Sequence, residues 1–366
     1  MTTQPEVLRE GVPVMFSGPY YVKQYDLEAA IVAGLRVHSL HDVESLRERY
    51  VVFDFSGAYW FDLGALLWFV SLLYRLRVNG NEIQIRFPEP VDDKSEKLWD
   101  FLIRWRFFET LAACVDDPVN LLSPAQLVHM SRASRYAPST LIDESGKRTV
   151  AHTARLLEMT TYRAQSASRQ PVSPFEAFLQ KYGDKILIQA LASTCGWNVE
   201  ATHALVQCVI FEGVRNAVLH AQGSYAIVSM RVDNKNVAIA ISDNGIGIPE
   251  ALRGAFRRGG KKLELANLTD AELIKLFTEP QMVLDSRELM ESDLIKLAVE
   301  RGISSADGHG GMGLYYLKSV VLERGGELRI RSGRAAVDFS QNNTLERNDL
   351  LPSTGTMLRI LTPRRV

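Results

Sequence analysis

The chain has 366 residues, of which 46% are hydrophobic and 23% charged, and this composition is typical of a globular protein with about two domains. Lysine and arginine (42) balance aspartate and glutamate (43), so the formal charge of -1 argues against a nucleic-acid-binding or anionic-membrane-binding protein. Three scattered cysteines without CxxC spacing argue against a disulfide framework and a zinc ribbon. With no apolar leader at the start and no apolar stretch long enough for a membrane span, we expect a cytoplasmic protein.

The first 112 residues alternate between strand and helix patterns. A β-branched and aromatic strand is predicted at 50–55, an apolar helix at 63–77, an alternating strand at 82–87 and a helix at 94–104. This order predicts a small α/β domain over residues 1–112 whose two strands are parallel.

Residues 113–174 form a predicted connecting region with one strand, at 156–162, that fits the sheet of either neighbour. Residues 175–366 form the second predicted domain. Its predicted helices lie at 174–193, 199–221, 270–277, 286–301 and 314–323, and its strands at 225–232, 237–242, 327–332 and 356–361.

The helix at 199–221 carries Glu212 and Asn216, which are one turn apart and share a face. An asparagine amide oxygen can ligate a hard cation such as Mg²⁺, and a neighbouring glutamate can orient or deprotonate a nucleophile. Such a pair is also common on a solvated helix face.

A second motif follows the strand at 237–242. Asp243 stands at the strand end, suited to accept a hydrogen bond from an exocyclic amine, and Gly245 and Gly247 permit close backbone approach to a ligand. An Asn-Gly turn is the alternative interpretation.

Four glycines precede the helix at 314–323: Gly308, Gly310, Gly311 and Gly313. Exposed backbone N–H groups before a helix N-terminus are typical of an anion site. The segment matches neither a Walker A loop nor a dinucleotide fingerprint, and a flexible hinge is the alternative.

The fourth segment is 353–357, before the last predicted strand. Thr356 offers a hydroxyl that can reach a base directly or through water. Taken alone, the segment is a plain turn.

Together, in this order, the four segments resemble the GHKL ATPase family, which includes the ATP-binding domains of gyrase, Hsp90, histidine kinases and MutL and the serine-kinase anti-sigma factors. The resemblance covers about 175–365 and implies a two-layer α/β sandwich of the Bergerat type.

The resemblance implies a role for each matching residue. Asp243 would contact the adenine amino group, Thr356 would support the adenine pocket, Asn216 would ligate Mg²⁺ bridging the phosphates, and Glu212 would be the catalytic base or positioner. The ATP-binding glycines would be Gly245, Gly247, Gly308, Gly310, Gly311 and Gly313.

The segment between the two glycine motifs predicts an elaborated lid over 250–313. The short tail after the last predicted strand lacks the transducer domain of gyrase and MutL, which argues against a topoisomerase or mismatch-repair role.

The stretch 51–85 resembles STAS domains, including the anti-sigma factor antagonists, and the resemblance covers about 30–112. Those antagonists carry a phosphorylated serine where this chain has Leu63, so we expect a module that docks a protein partner rather than a phosphorylation switch.

The sequence therefore predicts a Mg-ATP-dependent GHKL ATPase that acts as a signalling or regulatory switch. Two alternatives stay open: a serine or histidine protein kinase of the anti-sigma type acting on a partner, and a non-hydrolysing ATP-sensing scaffold. A homodimeric ATP clamp is a further alternative.

Overall fold

A computed structural model gives the structure of the protein, and it divides the chain into two compact units, 1–137 and 138–366. The described residues are 13–105, 107, 108, 110, 111, 126, 128, 155–163, 192, 197–206, 213, 216, 225–232, 235–257, 290–300 and 313–364.

The N-terminal unit is built on a parallel sheet. Its elements are β1 (Val14–Ser17), β2 (Tyr21–Val22), α1 (Gln24–Val37), a 3₁₀ turn (Val43–Ser45), β3 (Tyr50–Asp54), β4 (Trp60–Phe61), α2 (Leu63–Val78), β5 (Glu82–Arg86) and α3 (Asp93–Arg104). The strand order is β1-β3-β5, and a separate parallel pair joins β2 to β4. The predicted parallel pairing of the strands at 50–55 and 82–87 is confirmed, whereas β1 and α1 were not predicted.

The central strand β3 is buried on both faces, as expected for a covered parallel sheet. Phe53 packs edge-on against Phe69 of α2, with ring centroids 5.0 Å apart. The helix begins where Asp62 accepts a hydrogen bond from the Gly64 N–H at 3.1 Å, which satisfies one of the free donors of its first turn. It ends before Gly80, whose φ of +77° turns the chain into β5.

The C-terminal unit is a sheet with helices packed on it. Its elements are β6 (Arg155–Arg163), α4 (Val199–Val206), β7 (Tyr225–Val232), β8 (Asn236–Asp243), α5 (Gly247–Arg257), α6 (Glu291–Ala298), α7 (Gly313–Glu323), β9 (Glu327–Gly333), β10 (Ala335–Phe339), β11 (Thr344–Arg347) and β12 (Ser353–Pro363). Its strands are antiparallel, in the order β11-β10-β9-β12-β8-β7-β6.

Alternation along the strands builds one core between this sheet and its helices. Ile239 and Ile241 of β8 and Leu358 and Ile360 of β12 are buried in the same cluster as Leu317 of α7. The strand predicted at 156–162 belongs to this sheet through β6, which settles the choice of neighbour.

Several boundaries differ from the predictions. The last strand starts at Ser353, and a register shift between Ser353 and Thr356 takes up the predicted turn. α5 begins at Gly247, inside the second motif, and the helix predicted at 286–301 is described as Glu291–Ala298. The helix predicted at 270–277 and nearly all of the one at 174–193 lie outside the described residues. Within the described ranges, the protein has no helix with the length and apolarity to cross a bilayer.

Candidate functional site

Three polar side chains form a row across the centre of the C-terminal sheet: Asp243 of β8, Thr356 of β12 and Ser332 of β9. Thr356 of β12 pairs with Ser332 of β9, and the neighbouring pair joins Met357 to Ser242, one residue before Asp243. Asp243 follows Ile239 and Ile241 at two-residue steps, so it lies on the helix-covered face of β8. By the same alternation, Ser332 follows Leu328 and Ile330 on that face.

Asp243 is a buried carboxylate, with 4% of its surface exposed. Its Oδ1 accepts hydrogen bonds from the backbone N–H of Gly245 at 2.8 Å and of Thr356 at 3.2 Å. Burial raises the pKa of Asp243 to about 7, and these two hydrogen bonds oppose that shift without cancelling it. A buried carboxylate with a strongly shifted pKa is a candidate functional group, because burial makes its charged form unfavourable.

The Ser332 hydroxyl connects the end of β9 with α5 and β12. Its Oγ accepts from the Ile248 N–H at 2.9 Å, donates to the Gly355 carbonyl at 3.1 Å and lies 3.0 Å from Thr356 Oγ1. Ser332 itself is fully buried. It therefore joins the start of α5 to the segment that contacts Asp243.

Two glycines let these strands and α5 come together. Gly355 has φ of +70°, and a Cβ there would overlap the backbone carbonyl and Oδ1 of Asp243. Gly247 has φ of +79°, and a Cβ there would lie 2.7 Å from Ser332 Oγ. Both positions favour glycine for backbone conformation as well as for space.

Gly213, three residues before Asn216, packs against the sheet. A Cβ on Gly213 would lie 2.5 Å from Ile241 Cδ1 and 3.6 Å from Leu358 Cδ1, so Gly213 packs closely on β8 and β12. Gly213 therefore lies against the sheet face that carries Asp243. Asn216 is half-buried. Glu212 lies outside the described residues.

The glycines of the third motif are described only at their end. Gly313 is the first residue of α7, one residue before the predicted start of that helix, whereas Gly308, Gly310 and Gly311 lie outside the described residues. α7 packs on β9 and β12 through the core cluster that contains Leu317 and Val321. Lys318 of α7 forms an ion pair of 3.0 Å with Glu300, just after α6.

Glu291, at the start of α6, makes two contacts that the sequence motifs did not indicate. Its carboxylate lies 3.3 Å from Arg253 of α5 and accepts from the Arg334 N–H in the turn between β9 and β10. Ser292 and Asn348 exchange two hydrogen bonds, at 3.1 and 3.3 Å. α6, which lies inside the predicted lid, is therefore held against the sheet.

Ser332 was also missed by sequence reasoning. The available signal was a hydroxyl at a position where the alternation of β9 expects an apolar residue. A polar residue on the buried face of a strand requires a partner, and here the partners lie in two motifs that were recognised.

The comparison with known families agrees with this arrangement. Residues 202–364 match the family model described as Histidine kinase-, DNA gyrase B-, and HSP90-like ATPase. This region has a GHKL-type ATPase fold. The match spans less than half of the chain, and it concerns the GHKL domain alone. It supports a nucleotide-binding, ATPase- or kinase-like function for that domain. No curated protein gives a significant match to the chain.

Proposed function

We propose that the GHKL domain binds Mg-ATP over the row formed by Asp243, Thr356 and Ser332 and acts as a nucleotide-dependent regulatory switch. The observation that carries this proposal is the buried Asp243 carboxylate, whose pKa is raised to about 7 and which is held by two backbone donors. Keeping such a group is costly unless a ligand uses it. Its ionised form accepts from the exocyclic amine of adenine.

Magnesium is proposed to be held by the phosphates and by Asn216. Mg²⁺ in nucleotide sites commonly keeps several waters and takes few protein ligands, so a single amide oxygen suits it. Asn216 is half-buried and comes three residues after Gly213, which packs against β8 and β12, and both facts support that role. Bound there, the metal would neutralise charge on the phosphates.

The remaining roles are assigned by motif. Glu212 is proposed as the catalytic base or positioner of the attacking group. Gly245 and Gly247 would approach the nucleotide beside Asp243, and Gly247 already lies against Ser332 and Gly355. The glycines of the third motif, Gly308, Gly310, Gly311 and Gly313, would supply N–H donors to the phosphates, since N–H groups at a helix start favour anions.

We further propose that the N-terminal unit docks a protein partner. Leu63, at the position where the STAS-like antagonists carry the phosphorylated serine, is the first residue of α2 and is 4% exposed. It has neither a hydroxyl nor an accessible surface. This supports a docking role rather than a switch operated by phosphorylation at that position.

Incubation of the full chain with Mg-ATP labelled at the γ-phosphate tests the switch. An ATPase releases labelled phosphate, whereas a kinase transfers the label to protein, and a partner-directed kinase does so only when the partner is added. Glu212→Ala should abolish either reaction and keep ATP binding. Wild-type protein that binds ATP and never turns it over, with Glu212→Ala indistinguishable from it, would favour the sensing scaffold.

A further inference from the structure

We propose that Ser332 is a positioning residue for purine selectivity, which acts by fixing the direction in which the Thr356 hydroxyl points its proton. This inference rests on the proposed nucleotide site. It adds a residue to which none of the four motifs assigns a role.

The Ser332 hydroxyl has a single proton and several hydrogen-bonding neighbours. Its Oγ has three neighbours within hydrogen-bonding distance: the Ile248 N–H at 2.9 Å, the Gly355 carbonyl at 3.1 Å and the Thr356 hydroxyl at 3.0 Å. A serine hydroxyl carries one proton and two acceptor sites. Ser332 is fully buried, so bulk water does not compete for them.

The single hydroxyl proton of Ser332 is donated to the Gly355 carbonyl. A backbone carbonyl can only accept, so the Ser332 proton goes to Gly355, as the geometry indicates. The Ile248 N–H occupies one acceptor site of Oγ. The Thr356 hydroxyl then completes the set by donating to the other site, since no donor remains on Ser332.

The Thr356 hydroxyl consequently faces a ligand as a hydrogen-bond acceptor. With its proton committed to Ser332, Thr356 Oγ1 offers only lone pairs. Asp243, which accepts the Thr356 N–H, is also an acceptor when ionised. Two neighbouring acceptors match the two N–H donors of a 6-amino purine and oppose the carbonyl of a 6-oxo purine.

Replacing Ser332 with alanine removes the acceptor and lets the Thr356 hydroxyl rotate. It can then donate to a 6-oxo group, so selectivity should fall even where binding persists. A purely structural role of Ser332 would instead weaken both classes of purine by the same factor. The ratio of affinities is therefore the decisive quantity.

The experiment is calorimetric titration of the full chain with Mg-ATP and with Mg-ITP, whose bases differ in the group at position 6. We expect Ser332→Ala to reduce the wild-type ATP-to-ITP affinity ratio roughly five- to tenfold, the effect of about one hydrogen bond. Ser332→Thr, which keeps a hydroxyl, should retain the ratio.

Thr356→Val gives a second route that leaves Ser332 in place. It should reduce the ratio similarly, and the double variant Ser332→Ala/Thr356→Val should reduce it no further. An unchanged ratio in Ser332→Ala, or additive losses in the double variant, would overturn the inference while ATP binding by wild type upholds the proposed function. Wild-type protein that binds neither nucleotide would overturn both.

Discussion

The backbone N–H of Thr356 donates a hydrogen bond to Oδ1 of Asp243 across 3.2 Å, although the two residues are 113 positions apart in the chain. The bond joins the second and fourth sequence motifs at neighbouring strands of one sheet. Both described hydrogen bonds to the carboxylate, from Gly245 and from Thr356, are accepted by Oδ1.

Nucleotide affinity should fall as the pH is lowered from 8 to 6. Burial raises the pKa of Asp243 to about 7, so its carboxylate becomes protonated across this range and loses its capacity to accept from an adenine amine. Calorimetric titration of Mg-ATP at several pH values measures the effect. Asp243→Asn corrects for protonation of the nucleotide itself, and the profile of the wild type should be steeper than that of this variant.

The same residue should make the free protein less stable above neutral pH. A raised folded-state pKa means that the stabilising effect of a protonated Asp243 is fully present below its unfolded value near 3.8 and is lost as the pH rises through about 7. Asp243→Asn should therefore raise the Tm at pH 8, by an amount that shrinks as the pH falls towards 4. The difference should grow between about pH 4 and pH 7, the interval between the unfolded and folded pKa values of Asp243, and should level off above it. A Tm difference that is the same at pH 5 and pH 8 would contradict this assignment.

The positions of Asp243 and Gly313 at the ends of elements were predictable from the sequence, because their determinants are local. Asp243 ends the apolar strand β8, and Gly313 begins helix α7, so spacing alone places each of them at the end of an element. Glu212 and Asn216 could be matched to a family pattern only because all four motifs occur in the order of that family. None of these local patterns specifies a partner on another strand.

The missed features depend on tertiary contacts. The role of Ser332 depends on its hydrogen bonds to Ile248 and Gly355, which lie on two other elements. The buried stripe of helix α1 includes the polar residues Gln24 and Glu28, and β11 is exposed along its whole length, so neither has a clear apolar pattern. The turn predicted at 353–357 became part of β12 because a bulge, with Gly355 at φ of +70°, absorbs the irregular geometry.

Gly355→Ala should destabilise the GHKL domain severely. The added Cβ would overlap both the carbonyl and Oδ1 of Asp243, so the strands must separate. Gly325→Ala is a matched control, because Gly325 has a similar φ of +69° and its Cβ would meet only Pro363, at 4.0 Å. Gly325→Ala should lower the free energy of unfolding by about 1 kcal/mol through backbone strain, and Gly355→Ala should lower it by at least about 2 kcal/mol more. Denaturant unfolding measures both values. Equal losses would show that the close approach of Gly355 to Asp243 is unimportant.

Glu291→Ala should loosen α6. The variant removes the contact with Arg253 and the acceptor of the Arg334 N–H, which hold the start of α6 to α5 and to the turn after β9. Amide hydrogen exchange in 291–298 should accelerate roughly tenfold, as expected for the loss of about 1.4 kcal/mol of local stability. Asp93→Ala removes an exposed ion pair with Lys97 in the other unit and should leave this exchange unchanged. Unchanged exchange in Glu291→Ala would mean that other contacts hold the helix.

The central claim is that Asp243 forms the floor of a purine site, and calorimetric titration of the full chain with Mg-ATP at pH 8 tests it most directly. Asp349→Asn serves as the control, since Asp349 is an exposed aspartate of the same domain. The account predicts that wild type and Asp349→Asn bind with equal affinity, whereas Asp243→Asn binds roughly 10- to 100-fold more weakly, the usual effect of disturbing a buried hydrogen bond to a charged group. Equal affinity of Asp243→Asn and wild type would contradict it.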